Sequence, residues 1–300
     1  MTGPGRLDLL LPDGRVLEAL VAGPSDGDLL VFHHGSPGAA VPMAFLEAAA
    51  AERGLRLVTA SRPGFGGSSR QVGRRVADAA SDIAALADHL GAARFFVLGW
   101  SGGGPHALAC AALLPGRVRA VATMGGVAPY DADGLDWTAG MGEDNQVEYP
   151  TAARDPGELA AWMAPHAEAL ATVAAADIVA ELRSLISPVD EPFCSEEFGV
   201  VLADSFHAAF AHGPGGWYDD DLAFVSAWGF DPAAIRVPVT IWQGAQDLMV
   251  PFAHGQWLAD RIPGARAELH PAEGHLSIVV GQLGAILDGL MSAGGRLPAR

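Results

Sequence analysis

Three hundred residues, half of them hydrophobic, suffice to bury the core of one large domain or of one domain carrying an insertion. A formal net charge of −17, from 35 acidic against 18 basic residues, repels phosphate backbones and anionic membranes, so neither nucleic acid nor membrane is expected as a partner. Every basic residue is arginine, and the missing lysine excludes a Walker A loop, a kinase strand lysine and a Schiff-base site for pyridoxal phosphate.

The chain opens as a hairpin, Leu7–Leu11 and Val16–Val21, joined by a turn at Pro12-Asp13-Gly14. Residues 1–20 carry Asp8, Asp13 and Glu18 and lack a basic start before an apolar core, which does not resemble a signal peptide. Leu29–His33 reads as a buried strand ending in the loop His34-Gly35-Ser36-Pro37-Gly38, and alanine-rich Pro42–Arg53 as a helix. Leu55–Ala60 is the next strand, followed by the glycine-rich loop Arg62–Ser69 and the amphipathic helix Arg74–Leu90. Arg94–Trp100 and Val118–Met124 are further strands. The alternation then stops. Residues 127–236 are helix-rich, with Asp155-Pro156 as a helix start and Gly213-Pro214-Gly215-Gly216 as a loop, and they hold four of the seven tryptophans. It resumes with strand Val239–Gln243, helix Phe252–Ile262, strand Ala267–His270 and helix Leu276–Leu290. No uninterrupted apolar run has the length of a bilayer span. Strands alternating with helices predict an α/β fold, a mostly parallel central sheet with helices on both faces, built from residues 1–126 and 237–300. The 127–236 insertion is expected as a helical cap over the carboxyl ends of the strands, where ligands bind in open α/β sheets.

The strand Phe95–Trp100 runs directly into Gly99-Trp100-Ser101-Gly102-Gly103 and then into a helical pattern. A strand, a sharp turn and a helix in that order make a nucleophile elbow, in which the serine takes a strained backbone conformation and its neighbours must be small. The plainer alternative is a strand-to-helix turn in which Ser101 only caps the helix. A dinucleotide-binding loop would need glycine where Ser101 stands. A serine hydroxyl needs a base, and the base needs an orienting acid. Asp247 and His275 follow Ser101 in the order acid then base, each in a loop just past a strand, which makes them the expected partners. Asp131 and Asp133 are the rival acids, and His33, His34, His106, His254 and His270 the less favoured bases, His34 being read as a residue that shapes its loop. Glu273 stands too near His275 in sequence to be the preferred acid. The expected oxyanion donors are the backbone N–H groups of Gly102 and Ser36, with Gly35 permitting close approach; the alternative for that loop is a plain turn. Trp100, Gly35 and the cap tryptophans Trp137 and Trp228 are expected to line an apolar substrate pocket. Cys110 and Cys194 indicate no disulfide framework, which leaves a reducing cytoplasm as the expected compartment. No metal-ligand spacing occurs and the chemistry needs no cofactor.

His34-Gly35-Ser36-Pro37-Gly38, Arg62-Pro63-Gly64-Phe65-Gly66-Gly67-Ser68, Gly99-Trp100-Ser101-Gly102-Gly103, Asp247 and Gly274-His275 together resemble the α/β-hydrolase superfamily over about residues 30 to 280. The resemblance implies Ser101 as nucleophile, Asp247 as acid, His275 as base and the insertion as a cap domain. It argues against haloalkane dehalogenase and epoxide hydrolase activity, since those relatives have aspartate where this chain has Ser101. The expectation is therefore a serine hydrolase that cleaves an ester or similar acyl bond of a small, largely apolar substrate. Three alternatives stay open. The first is an aminopeptidase: His34-Gly35-Ser36-Pro37-Gly38 is similar to the His-Gly-Gly-Pro-Gly loop of proline iminopeptidases but departs at Ser36. The elbow Gly-Trp-Ser-Gly-Gly departs from their Gly-Gly-Ser-Trp-Gly. Such enzymes hold a free amine with cap carboxylates, for which Glu143, Asp144, Glu196, Glu197 and Asp219–Asp221 are candidates. The others are a carbon–carbon bond hydrolase and a non-catalytic binder of a small ligand.

Overall fold

The computed structural model describes residues 4–194 and 196–295. Strands β1 (Gly5–Leu10) and β2 (Val16–Ala22) form the expected hairpin, turned through Gly14 at φ 87°. Six more strands follow: β3 (Asp28–His33), β4 (Leu55–Ala60), β5 (Phe95–Trp100), β6 (Val118–Met124), β7 (Val239–Gly244) and β8 (Arg266–His270). They make one eight-stranded sheet in the order β1-β2-β4-β3-β5-β6-β7-β8. Only the β1–β2 and β2–β4 pairs are antiparallel. The middle strands are buried on both faces, which is why they read as continuous apolar runs rather than as alternation.

Two helical layers cover the sheet. Helices α2 (Ala79–His89), α3 (Gly103–Leu113) and α9 (Phe252–Arg261) bury Ile83, Leu86, Leu108 and Leu258 against one face. Helices α1 (Ala44–Glu52) and α10 (Ser277–Gly294) bury Leu46, Ala50, Ile278, Leu283, Ile286 and Leu290 against the other. By length and composition α10 could cross a membrane. Here its apolar side chains pack on β5, β6 and β7 instead.

Between β6 and β7 the chain adds α4 (Glu143–Arg154), α5 (Pro156–Leu170), α6 (Ile178–Glu181), α7 (Glu196–Phe210) and α8 (Gly215–Val225). Asp155 caps α5 as its sequence predicts, its carboxylate accepting the N–H groups of Gly157 and Glu158. Leu159, Met163, Leu170, Leu202, Phe206 and Trp217 of this segment form a third cluster with Phe65 and Leu276 from sheet loops. Other residues of the same segment, Val127, Trp137, Phe224 and Trp228 among them, pack into the α2–α3 layer. One local expectation is corrected. Gly215 and Gly216 open α8 rather than forming a loop, and their lack of side chains has a tertiary reason: a Cβ on Gly216 would lie 2.7 Å from the backbone of Gly64.

Candidate active site

The turn after β5 has the geometry its sequence requires. Ser101 has φ 54°, the one positive value among the described non-glycine residues. Such a conformation costs about 1–3 kcal/mol and persists only where the surroundings impose it. Here they do. A Cβ on Gly99 would sit 2.5 Å from the Gly103 carbonyl oxygen, and one on Gly103 would sit 2.1 Å from the His33 carbonyl oxygen, so α3 is pressed onto β3 and β5. Ser101 stands directly before the N-terminus of α3, where the Gly104 N–H donates to its carbonyl oxygen at 2.8 Å.

Asp247 and His275 meet from the loops after β7 and β8. His275 Nδ1 lies 2.7 Å from Asp247 Oδ2. Asp247 Oδ1 accepts the N–H groups of Met249 and Val250, each at 2.8 Å, and Oδ2 also accepts Gln243 Nε2 at 3.1 Å. Facing the Asp247 carboxylate, Nδ1 carries the proton and Nε2 is left as the acceptor. That Nε2 is buried and has no protein partner. Burial works against a charged His275, but the carboxylate of Asp247 outweighs it and, with Asp190, holds the imidazole above its ordinary value of 6.5. Gly125 leaves space for the pair, since a Cβ there would lie 2.8 Å from Nδ1.

The loop after β3 is built from underneath. Arg62, 3% exposed, donates to the carbonyl oxygens of His34 and Gly35 and, through Nη2, to Asp220 Oδ2 at 2.7 Å. Asp220 on α8 also pairs with Arg74 at 2.6 Å and accepts the Ser36 hydroxyl at 2.7 Å. Burial alone would raise its pKa, yet the two guanidiniums hold it far below the usual carboxylate range. His34 accepts the Arg62 N–H at Nε2 and so donates from Nδ1 to the Gly35 carbonyl oxygen. It shapes the loop, as the sequence suggests. A Cβ on Gly102 would lie 2.8 Å from the Ser36 Cβ, so the two expected oxyanion donors are neighbours. Among the described residues no hydrogen bond takes up either backbone N–H.

Ser101, His275, Ser36, Gly35 and Trp100 line one cavity of about 150 Å³. The Trp100 ring stands 5.6 Å from the His275 ring and 6.0 Å from that of Phe198. The two cap tryptophans expected there are a correction. Trp137 is held away by its hydrogen bond to the Ala128 carbonyl oxygen and its packing on Tyr149 and His254, and Trp228 packs on Phe230. Trp162 and Trp217 line the cavity instead. The rival acids Asp131 and Asp133 are exposed. Among the rival bases, burial holds His33 and His34 well below 6.5, His106 at about 3 and His254 at about 4, and His270 stacks on Trp242.

Of the acidic candidates in the insertion, Asp144 lines the cavity. Glu143 and Glu197 are exposed, the side chain of Glu196 lies outside the described residues, and Asp219 pairs with Arg70 at 2.7 Å. Asp221 is buried beside Glu148, a cavity-lining residue that the sequence does not mark, and Glu148 accepts the Trp217 indole N–H at 2.7 Å. Burial pushes both carboxyls up, and Glu148 adds to the rise at Asp221. Among the described residues no cluster of His, Cys, Asp and Glu is arranged for a metal ion.

The family model described as alpha/beta hydrolase fold matches residues 28–282. The uncharacterised hydrolase YcgS of Bacillus subtilis is 32% identical over 114 residues, a match spanning 38% of this chain and 39% of that protein. The enol-lactonase of Burkholderia xenovorans superposes with a TM-score of 0.69 at 19% identity, covering 95% of this chain and all of the other. A thermophilic esterase of Thermogutta terrifontis superposes with 0.68 at 20% identity, covering 98% of this chain and all of the other. At these identities the solved structures are similar in fold.

Proposed function

The chain belongs to the alpha/beta-hydrolase fold family, and from that premise we propose that it is a serine hydrolase acting on esters with a small, largely apolar acyl group. One observation carries the reading. An imidazole fixed at Nδ1 by a buried carboxylate keeps an unpartnered Nε2 in the same cavity as a serine held at the end of a strand. In the reaction Ser101 Oγ attacks the acyl carbon while its proton passes to His275 Nε2. The carbonyl oxygen becomes an oxyanion and accepts the N–H groups of Ser36 and Gly102. Collapse of this intermediate expels the alcohol, which takes the proton from His275. Water then gives its proton to His275 as it attacks the acyl-serine, and collapse of this second intermediate releases the acid while His275 returns the proton to Ser101 Oγ. Asp247 keeps the imidazole in the working tautomer throughout.

A second reading is supported by Glu148 and Asp144 at the wall of the same cavity. Carboxyls placed there suit a substrate with a free amine, as an aminopeptidase requires. Labelling with a fluorophosphonate tests the nucleophile: the parent is expected to label and Ser101→Ala to stay blank, and equal labelling of both refutes the mechanism. Comparing p-nitrophenyl esters with prolyl p-nitroanilide separates the two substrate classes. Turnover of the anilide alone favours the aminopeptidase.

A further inference from the structure

The loop that carries His275 is held from outside the sheet. Asp190 belongs to the inserted segment, in the stretch between α6 and α7, and is completely buried. Its Oδ2 accepts the His275 backbone N–H and the Ser187 hydroxyl, both at 2.8 Å. Its Oδ1 accepts the N–H of Leu276 at 2.9 Å and that of Ser277 at 2.8 Å. Three successive amides at the start of α10 therefore end on one carboxylate. Helix N-termini leave such donors unsatisfied, and a neighbouring side chain normally supplies the acceptor. Leu276, at the capping position, supplies none. The acceptor comes instead from a residue far away in sequence. The fit is tight enough to exclude a side chain before the histidine, for a Cβ on Gly274 would lie 2.3 Å from Asp190 Oδ2.

We propose that Asp190 is a positioning residue for the base: through it the inserted segment fixes the backbone of His275 and keeps a negative charge behind the imidazolium that forms when Ser101 is deprotonated. The inference rests on reading Ser101 and His275 as nucleophile and base. Two carboxylates act on the His275 ring, Asp247 from the loop after β7 and Asp190 from the insertion, and both favour its charged form. Removing Asp190 shifts His275 toward lower pKa and frees its loop. A misplacement of about 1 Å at a reacting group costs on the order of 100-fold in rate.

The test compares the parent, Asp190→Asn and Ser187→Ala, with Ser101→Ala as blank. The readouts are kcat and KM for short p-nitrophenyl esters from about pH 5 to about pH 9, and the rate of fluorophosphonate labelling, which does not depend on knowing the natural substrate. Asp190→Asn is expected to lower kcat and the labelling rate by about 10- to 100-fold, to leave KM nearly unchanged and to move the acid limb of the rate profile to lower pH. Ser187→Ala keeps the charge and loses one bond, so a loss of a few-fold with the acid limb in place is expected. Parent-like kcat and acid limb in Asp190→Asn, with only the melting temperature lowered, overturns the inference and leaves a structural role. If Asp190→Asn does not fold, parent-like kcat and labelling in Ser187→Ala overturns it. A parent that does not label at Ser101 refutes the nucleophile reading, whereas a labelled parent with a parent-like Asp190→Asn refutes the positioning role alone.

Discussion

In the proposed mechanism His275 must be neutral to accept the serine proton, so activity is expected to rise as pH passes through its pKa. Burial penalises the imidazolium, but Asp247 at 2.7 Å more than offsets that penalty and raises the folded-state value. The acid limb of kcat/KM is therefore expected above about 6.5, the value of an unperturbed histidine. Asp247→Asn should move the limb down and lower kcat by about 10⁴-fold, because the amide can favour the wrong tautomer. A pH–rate profile of both proteins checks this, and a parental limb at or below the unperturbed value contradicts it. Ser101, Asp247 and His275 stand out in the sequence as candidates because each lies just past a strand, where a local pattern marks it. Asp190 and Glu148 carry no such mark. Their partners are far away in the chain, and an aspartate between short helices or a glutamate within one reads as ordinary surface.

At the scale of elements, α8 carries Asp219, Asp220 and Asp221 in succession, which in sequence resembles a solvated acidic run. About 100° of rotation per residue sends them to three different surroundings: Arg70 at the rim, the buried Arg62–Arg74 pair beneath the Ser36 loop, and Glu148. Asp220→Asn strands two buried guanidiniums and is expected to cost about 3–5 kcal/mol. Asp219→Asn loses a partner that is 44% exposed, so it is expected to cost no more than about 1 kcal/mol. Chemical denaturation of the two variants checks the contrast, and equal losses contradict it. The elbow offers a second contrast. Gly99→Ala places a Cβ 2.5 Å from a carbonyl oxygen of α3, where backbone must move, whereas a Cβ on Gly116 would meet nothing within 4 Å. A loss of about 1–3 kcal/mol is expected for Gly99→Ala, with slower labelling of Ser101. Gly116→Ala should melt and label like the parent. Strand and helix positions were legible because burial imposes their periodicity. The start of α8 was not, because its glycines answer to Gly64 across the fold rather than to their own neighbours.

Across the whole molecule, the choice of cavity-lining tryptophans was the part least legible in sequence. All four in the insertion are apolar surface seeking cover, and only the path of the chain decides that Trp137 and Trp228 turn to the α2–α3 layer while Trp162 and Trp217 turn to the site. The fold also buries four histidines in neutral form. Burial holds His33 and His34 well below 6.5, His106 at about 3 and His254 at about 4. In the unfolded chain each binds a proton near pH 6.5. Their folded values are lowered, so the stability they contribute is present above about pH 6.5 and is lost as pH falls below it, at about 1.4 kcal/mol per pH unit for each uncompensated site. The Glu148–Asp221 pair has the opposite sign, since its folded carboxyls keep a proton that the unfolded ones release. These two carboxyls are outnumbered by the four histidines. His275, with its raised value, acts on the other side: its contribution is present below about pH 6.5 and is lost as pH rises through the folded pKa. Scanning calorimetry is expected to show the melting temperature falling steadily from about pH 6.5 to about pH 5, well before most carboxylates titrate. A melting temperature that holds constant or rises over that interval would show that these histidines are not neutral in the folded protein.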